Sequence, residues 1–125
     1  MYVSLGTVHH GQIDFYRQCF DVFGRRSGQF ILSIGRDTDV AALGPIPPNF
    51  IVRPHVPQIE VLERADAFIT HGGMNSIHEE LYFGVPMVLI PQQLEQLFGS
   101  LIVQPAYLAR LFIGVCVVER DAAVV

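Results

Sequence analysis

The 125-residue chain contains no lysine and no tryptophan, and only 16% of its residues are charged. Without lysine there is no P-loop ammonium and no Schiff-base amine. The eight basic residues are all arginines and are scattered, with only Arg25 and Arg26 adjacent. Together with a net charge of −4, that scatter argues against a nucleic-acid partner. Also absent are a G-x-G-x-x-G after a strand, a G-x-S-x-G elbow and an H-E-x-x-H pair. Their absence removes the usual dinucleotide fingerprint, the serine-hydrolase elbow and the zinc-protease motif. His71 and His78 lack metal-ligand spacing, so neither a metal nor a cofactor is expected. Cysteine is scarce: Cys19 and Cys116 lie far apart in apolar settings and read as buried free thiols. "MYVSLG" lacks a basic stretch followed by an apolar one, so no signal peptide is expected and a cytoplasmic protein is the default. The apolar stretch 97–118 is interrupted by Gln104, Pro105 and Arg110. A membrane span needs about 20 mostly apolar residues, so no transmembrane segment is expected.

What the chain does have is apolar surface. Half its residues are hydrophobic and its mean hydropathy is +0.38, high for one domain of this length. Such a surface implies a partner that covers part of it. Apolar runs at 2–5, 29–35, 49–54, 67–70, 85–91 and 114–119 read as strands. Helical patterns fall at 11–24, 57–66, 74–83 and 106–112, with a turn-rich loop over 36–49. In the first helix Ile13, Tyr16, Phe20 and Phe23 share a face; in 74–83 the inward face is Met74, Ile77 and Leu81, with His78 and Glu80 toward solvent. Gly84 ends that helix. Strands that are apolar throughout and separated by helices specify a parallel sheet covered on both faces. The expected fold is therefore α/β: one Rossmann-like three-layer sandwich over 1–125, with about six parallel strands.

In such a fold ligands sit beyond the carboxyl ends of the strands, at helix N-termini. "THGGMNSIHEE", residues 70–80, falls at such a place. A helix starting near Met74 leaves several backbone N–H groups without intrahelical partners. Gly72 and Gly73 let an anion approach that backbone, and His71, Asn75 and Ser76 add donors. Glu79, one turn deeper, would repel a diphosphate but suits a pair of adjacent hydroxyls such as a ribose. Anion cradle plus diol acceptor points to a nucleotide sugar or a dinucleotide. The same residues also fit a plain capped turn, with Asn75 and Ser76 as caps and Glu79 in solvent. His9 and His10 follow the first strand and border the same crevice.

Residues 55–96, "HVPQIEVLERADAFITHGGMNSIHEELYFGVPMVLIPQQLEQ", resemble the donor-binding signature of nucleotide-sugar glycosyltransferases with the GT-B fold, nearest to the bacterial macrolide type. "YVSLGT" is similar to the opening strand and loop of that family's C-terminal domain, so the likeness runs over about residues 1–96. The resemblance implies that His71, Gly73, Asn75, Ser76 and Thr7 surround the diphosphate. It implies that His55, Val56, Gln58 and Glu79 meet the nucleoside and its ribose, and that Glu95 and Gln96 contact the transferred sugar. His55 stands where the family usually stacks tryptophan or tyrosine on the base, a smaller platform for uracil. Past Gln96 the likeness falters, and Gln104 is the alternative sugar contact.

The resemblance further implies an N-terminal acceptor domain, carrying the catalytic base, and C-terminal closing helices, neither of which this sequence includes. The expected function is thus the UDP-sugar-binding half of an inverting, metal-independent glycosyltransferase, inactive or weakly active alone. No catalytic residue is assigned within the chain. Two alternatives stay open. One is a natural catalytic subunit of a two-chain lipid-linked N-acetylglucosamine transferase, completed by a partner subunit. The other is a non-catalytic binding or scaffold module.

Overall fold

The computed structural model describes residues 1–6 and 12–90 in full, and the backbone of 108–112 and 115–119. Five parallel strands form the body of the sheet: β1 (Tyr2–Ser4), β2 (Phe30–Ser33), β3 (Phe50–Arg53), β4 (Phe68–Thr70) and β5 (Met87–Leu89). Helix α1 (Ile13–Phe23) joins β1 to β2, and a single 3-10 turn (Val40–Leu43) lies between β2 and β3. Helices α2 (Gln58–Leu62) and α3 (Met74–Phe83) follow β3 and β4. The parallel α/β expectation holds through Leu89. Beyond it, β6 (Leu108–Phe112) and β7 (Val115–Glu119) extend the sheet antiparallel, giving the order β3-β2-β1-β4-β5-β7-β6 among the described residues.

The pattern over 106–112 predicts a helix, and here the structure differs. Residues Leu108–Phe112 pair antiparallel with β7, with Phe112 opposite Val115. A seven-residue apolar stretch is too short to sustain a helix unless packing favours one, and pairing with β7 settles it as strand. Cys116 lies in β7.

Alternation along the strands builds two cores. Val3 joins Tyr16, Phe20, Leu32, Leu43 and Ile69 on the α1 face. Tyr2 joins Val56, Leu62, Phe68 and Val85 on the α2/α3 face. Side chains of successive residues point to opposite faces, so both faces of each strand must be apolar, and both are covered. Cys19 is a buried free thiol whose pKa burial pushes up to about 11, consistent with an inert core residue.

Helix α3 occupies the expected span, and Gly84 closes it in the left-handed conformation (φ 66°, ψ 29°). Its inward face is not the expected one. Ile77 and Glu80 are fully buried, whereas Met74 is 53% exposed at the helix mouth. The assignment of Glu80 to solvent is therefore corrected: the geometry that turns Ile77 inward carries Glu80, three residues on, the same way. His78 is exposed, as expected. No helix among the described residues is long and apolar enough to cross a membrane.

Candidate functional site

Connections run one way from β1 to β2 to β3, then return across the sheet to β4 and β5. The reversal lies between β1 and β4, and the crevice beyond their carboxyl ends is where a doubly wound sheet binds ligands. A cavity of about 460 Å³ opens there. Its walls come from Tyr2, Ser4 and Gly6 of β1 and its exit, Ser33 of β2, His55, Val56 and Gln58 after β3, and His71–Ser76 after β4.

The turn from β4 into α3 sets the chemistry. Thr70 is fully buried, and its Oγ1 accepts the Gly72 N–H at 3.3 Å, tying the turn to the strand end. Gly73 is the N-cap and supplies no side-chain cap; the first intrahelical bond is Ile77 N–H to the Gly73 carbonyl, 3.0 Å. The amides of Met74, Asn75 and Ser76 therefore have no acceptor within the helix and stand at the positive end of its dipole. Asn75 and Ser76 do not cap the helix, whereas Gly72, at φ 82°, makes the tight turn that the plain reading also allowed. The His71 ring packs against two glycines: an added Cβ would lie 2.8 Å from Cε1 at Gly6 and 2.7 Å from Nε2 at Gly73. Side-chain-free backbone on both sides lets the imidazole reach the cavity edge.

Of the residues assigned to the diphosphate, His71, Gly73, Asn75 and Ser76 converge on this cavity, and so do His55, Val56 and Gln58 from the nucleoside set. Glu79 does not line it. Its Oε2 instead accepts the Gln58 amide N–H at 2.7 Å. The same Nε2 donates to Ser76 Oγ at 3.2 Å, and Gln58 Oε1 accepts the Tyr2 hydroxyl at 3.2 Å. Gln58 thereby links α2, α3 and β1. Thr7, His9, His10, Glu95, Gln96 and Gln104 lie outside the described residues.

Four wall residues were not anticipated: Tyr2, Ser4, Gly6 and Ser33. Ser4 and Ser33 are register partners on β1 and β2, polar at the carboxyl ends of otherwise apolar strands, and that anomaly was the available signal. Burial raises the Tyr2 phenol pKa against the pull of the Ser4 and Ser33 hydroxyls, and nearby Glu79 and Glu80 raise it further. The phenol thus remains a proton donor at neutral pH. Behind the wall, Glu80 is pushed up to about 9, chiefly by burial and then by Glu79, with Thr70 pulling slightly the other way. The Thr70 contact falls short of hydrogen-bond geometry, and neither Glu80 oxygen has a partner among the described residues.

A match to the family described as UDP-glucoronosyl and UDP-glucosyl transferase covers residues 2–104. The NDP-glycosyltransferase YjiC of Bacillus subtilis (strain 168) is 50% identical over 96 residues, 77% of this chain and 24% of that protein. The crystal structure of CalG4, the calicheamicin glycosyltransferase, superposes with a TM-score of 0.79 at 33% identity, covering 84% of this chain and 28% of the other. Os79 of O. sativa, solved in complex with UDP, gives 0.70 at 25% identity over 82% of this chain and 24% of its own. The chain spans about a quarter of the length of the curated relatives it matches.

Proposed function

Because the chain belongs to the UDP-glucoronosyl and UDP-glucosyl transferase family, whose solved members are GT-B glycosyltransferases, we propose that it is the donor-binding half of such an enzyme and takes a UDP-sugar in the β1/β4 crevice. One observation carries the reading: the uncapped N-terminus of α3, ringed by His71, Asn75 and Ser76, faces the cavity at the reversal of the sheet. The diphosphate docks on those amides, His55 and Val56 flank the base, and Glu79 takes the ribose hydroxyls. Glu95 and Gln96 are assigned to the sugar.

Transfer then proceeds with inversion. An acceptor hydroxyl attacks the anomeric carbon, its proton passes to a base in the remainder of the enzyme, and the bond from that carbon to the diphosphate breaks. Helix amides and His71 stabilise the charge on the departing UDP. Alone, the chain binds donor without appreciable turnover.

Calorimetric titration with UDP tests this. Each charge-assisted hydrogen bond contributes roughly 1.5–3 kcal/mol, and a few together give a Kd on the order of micromolar. The affinity should be unchanged by a chelator, and Glu79→Ala should weaken it about tenfold. Absence of heat from folded protein would favour the scaffold reading. Unaltered affinity in Glu79→Ala would displace the ribose from that carboxylate.

A further inference from the structure

To meet a ribose in this crevice, Glu79 must present an oxygen to it, yet Glu79 does not line the cavity and is tied to Gln58, which does. Gln58 is half-buried on a long side chain, and its amide has one donating and one accepting end. The donating end serves Glu79 and Ser76; the accepting end takes the Tyr2 hydroxyl. Reversed, the amide would set its oxygen against the Glu79 carboxylate and its NH2 against a phenol O–H. Tyr2, by contrast, cannot move. It is 2% exposed, its strand lies between β2 and β4, and its ring stacks on Phe68 with centroids 4.4 Å apart and planes 17° apart.

Resting on the nucleotide-binding reading of the crevice, we propose that Tyr2 is a positioning residue of the donor site: its hydroxyl fixes the Gln58 amide, which ties one Glu79 oxygen and leaves the other for a ribose diol. The rigid sheet thus transmits its order to a carboxylate on α3 through one amide. The Ser4 and Ser33 hydroxyls lie near the phenol and lower its pKa against burial. A phenylalanine at this position keeps the ring and its stack on Phe68 and removes only the O–H.

A merely structural hydroxyl would affect all parts of the nucleotide alike. A positioning hydroxyl, once lost, should harm recognition of the ribose hydroxyls and leave the diphosphate grip alone. The test is calorimetry of the wild-type chain, Tyr2→Phe, Gln58→Ala and the double variant, each with UDP and with 2′-deoxy-UDP. The wild-type chain should prefer UDP. Tyr2→Phe should lower UDP affinity about three- to tenfold, with 2′-deoxy-UDP held within about twofold. The double variant should match Gln58→Ala alone, because the hydroxyl acts only through that amide. Equal losses for both nucleotides, no loss for either, or additive losses in the double variant would overturn the inference while leaving the donor site standing. Should Tyr2→Phe fail to fold, Gln58→Ala decides the matter: it must erase the preference for UDP over the deoxy analogue. A folded wild-type chain that binds no UDP would overturn both the site and the inference.

Discussion

Glu80→Gln is expected to flatten the pH dependence of this chain's stability. The Glu80 carboxyl is fully buried, and its folded pKa is pushed from an ordinary 4.5 to about 9, first by desolvation and then by Glu79. A raised carboxyl pKa means that the native state holds the proton over a range in which the unfolded chain has released it. The stabilisation is therefore complete below pH 4.5 and is lost progressively as pH rises toward 9. The loss runs at about 1.4 kcal/mol per pH unit, so by neutrality this one group costs on the order of 3 kcal/mol relative to mild acid. That is a large fraction of the roughly 5–15 kcal/mol available to a domain. Glutamine preserves the volume and cannot ionise. Urea unfolding of both proteins at about pH 5, pH 6.5 and pH 8 should show the variant gaining on the wild type by roughly 4 kcal/mol across the range. Parallel curves would mean that Glu80 reaches water or a cationic partner in solution.

Glu80 also shows where reading the chain without coordinates stops working. Its polarity argued for solvent, while its spacing from Ile77 argued for the interior, and packing followed the spacing. A carboxyl that far inside is tolerable because it can stay neutral, an option that residue type alone does not announce. The five parallel strands, α3 from Met74 to Phe83 and the stop at Gly84 were legible because each rests on local pattern: continuous apolar runs, helical periodicity, a glycine at the boundary. The gathering of His71 to Ser76 at the crevice was legible for the same reason, being a strand-to-helix turn read within one short segment. The capture of Glu79 by Gln58 was not. It joins residues 21 positions apart and depends on how α2 and α3 pack, which no spacing encodes. Residues 106–112 failed differently: a short apolar run fits helix or strand equally until a neighbouring strand offers its hydrogen bonds.

Gly6→Ala should impair UDP binding as severely as His71→Ala, although the residues are 65 positions apart in the chain. Gly6 sits at φ 78°, and a Cβ there would lie 2.8, 2.9 and 3.2 Å from Cε1, Nε2 and Nδ1 of His71. The methyl cannot yield, because it is fixed to backbone at the end of β1. The imidazole can, by rotating about its side-chain torsions, and in doing so it leaves the cavity edge, where we propose that it meets the diphosphate. Loss of one charge-assisted hydrogen bond, about 1.5–3 kcal/mol, corresponds to a fall of about 10- to 100-fold in affinity. Because the methyl acts through the ring, the double variant should bind no more weakly than His71→Ala alone. Positive φ adds backbone strain of roughly 1–2 kcal/mol to any alanine at this position, and that strain must be separated from the contact. Gly44 provides the comparison: it has φ 75°, nothing within 4 Å of an added Cβ, and no place on the cavity wall. Gly44→Ala should lose stability in urea while keeping UDP affinity within about twofold of wild type. If Gly6→Ala binds UDP normally while folded, the ring is not held by that glycine. If His71→Ala is equally silent, the diphosphate is gripped by the α3 amides without it.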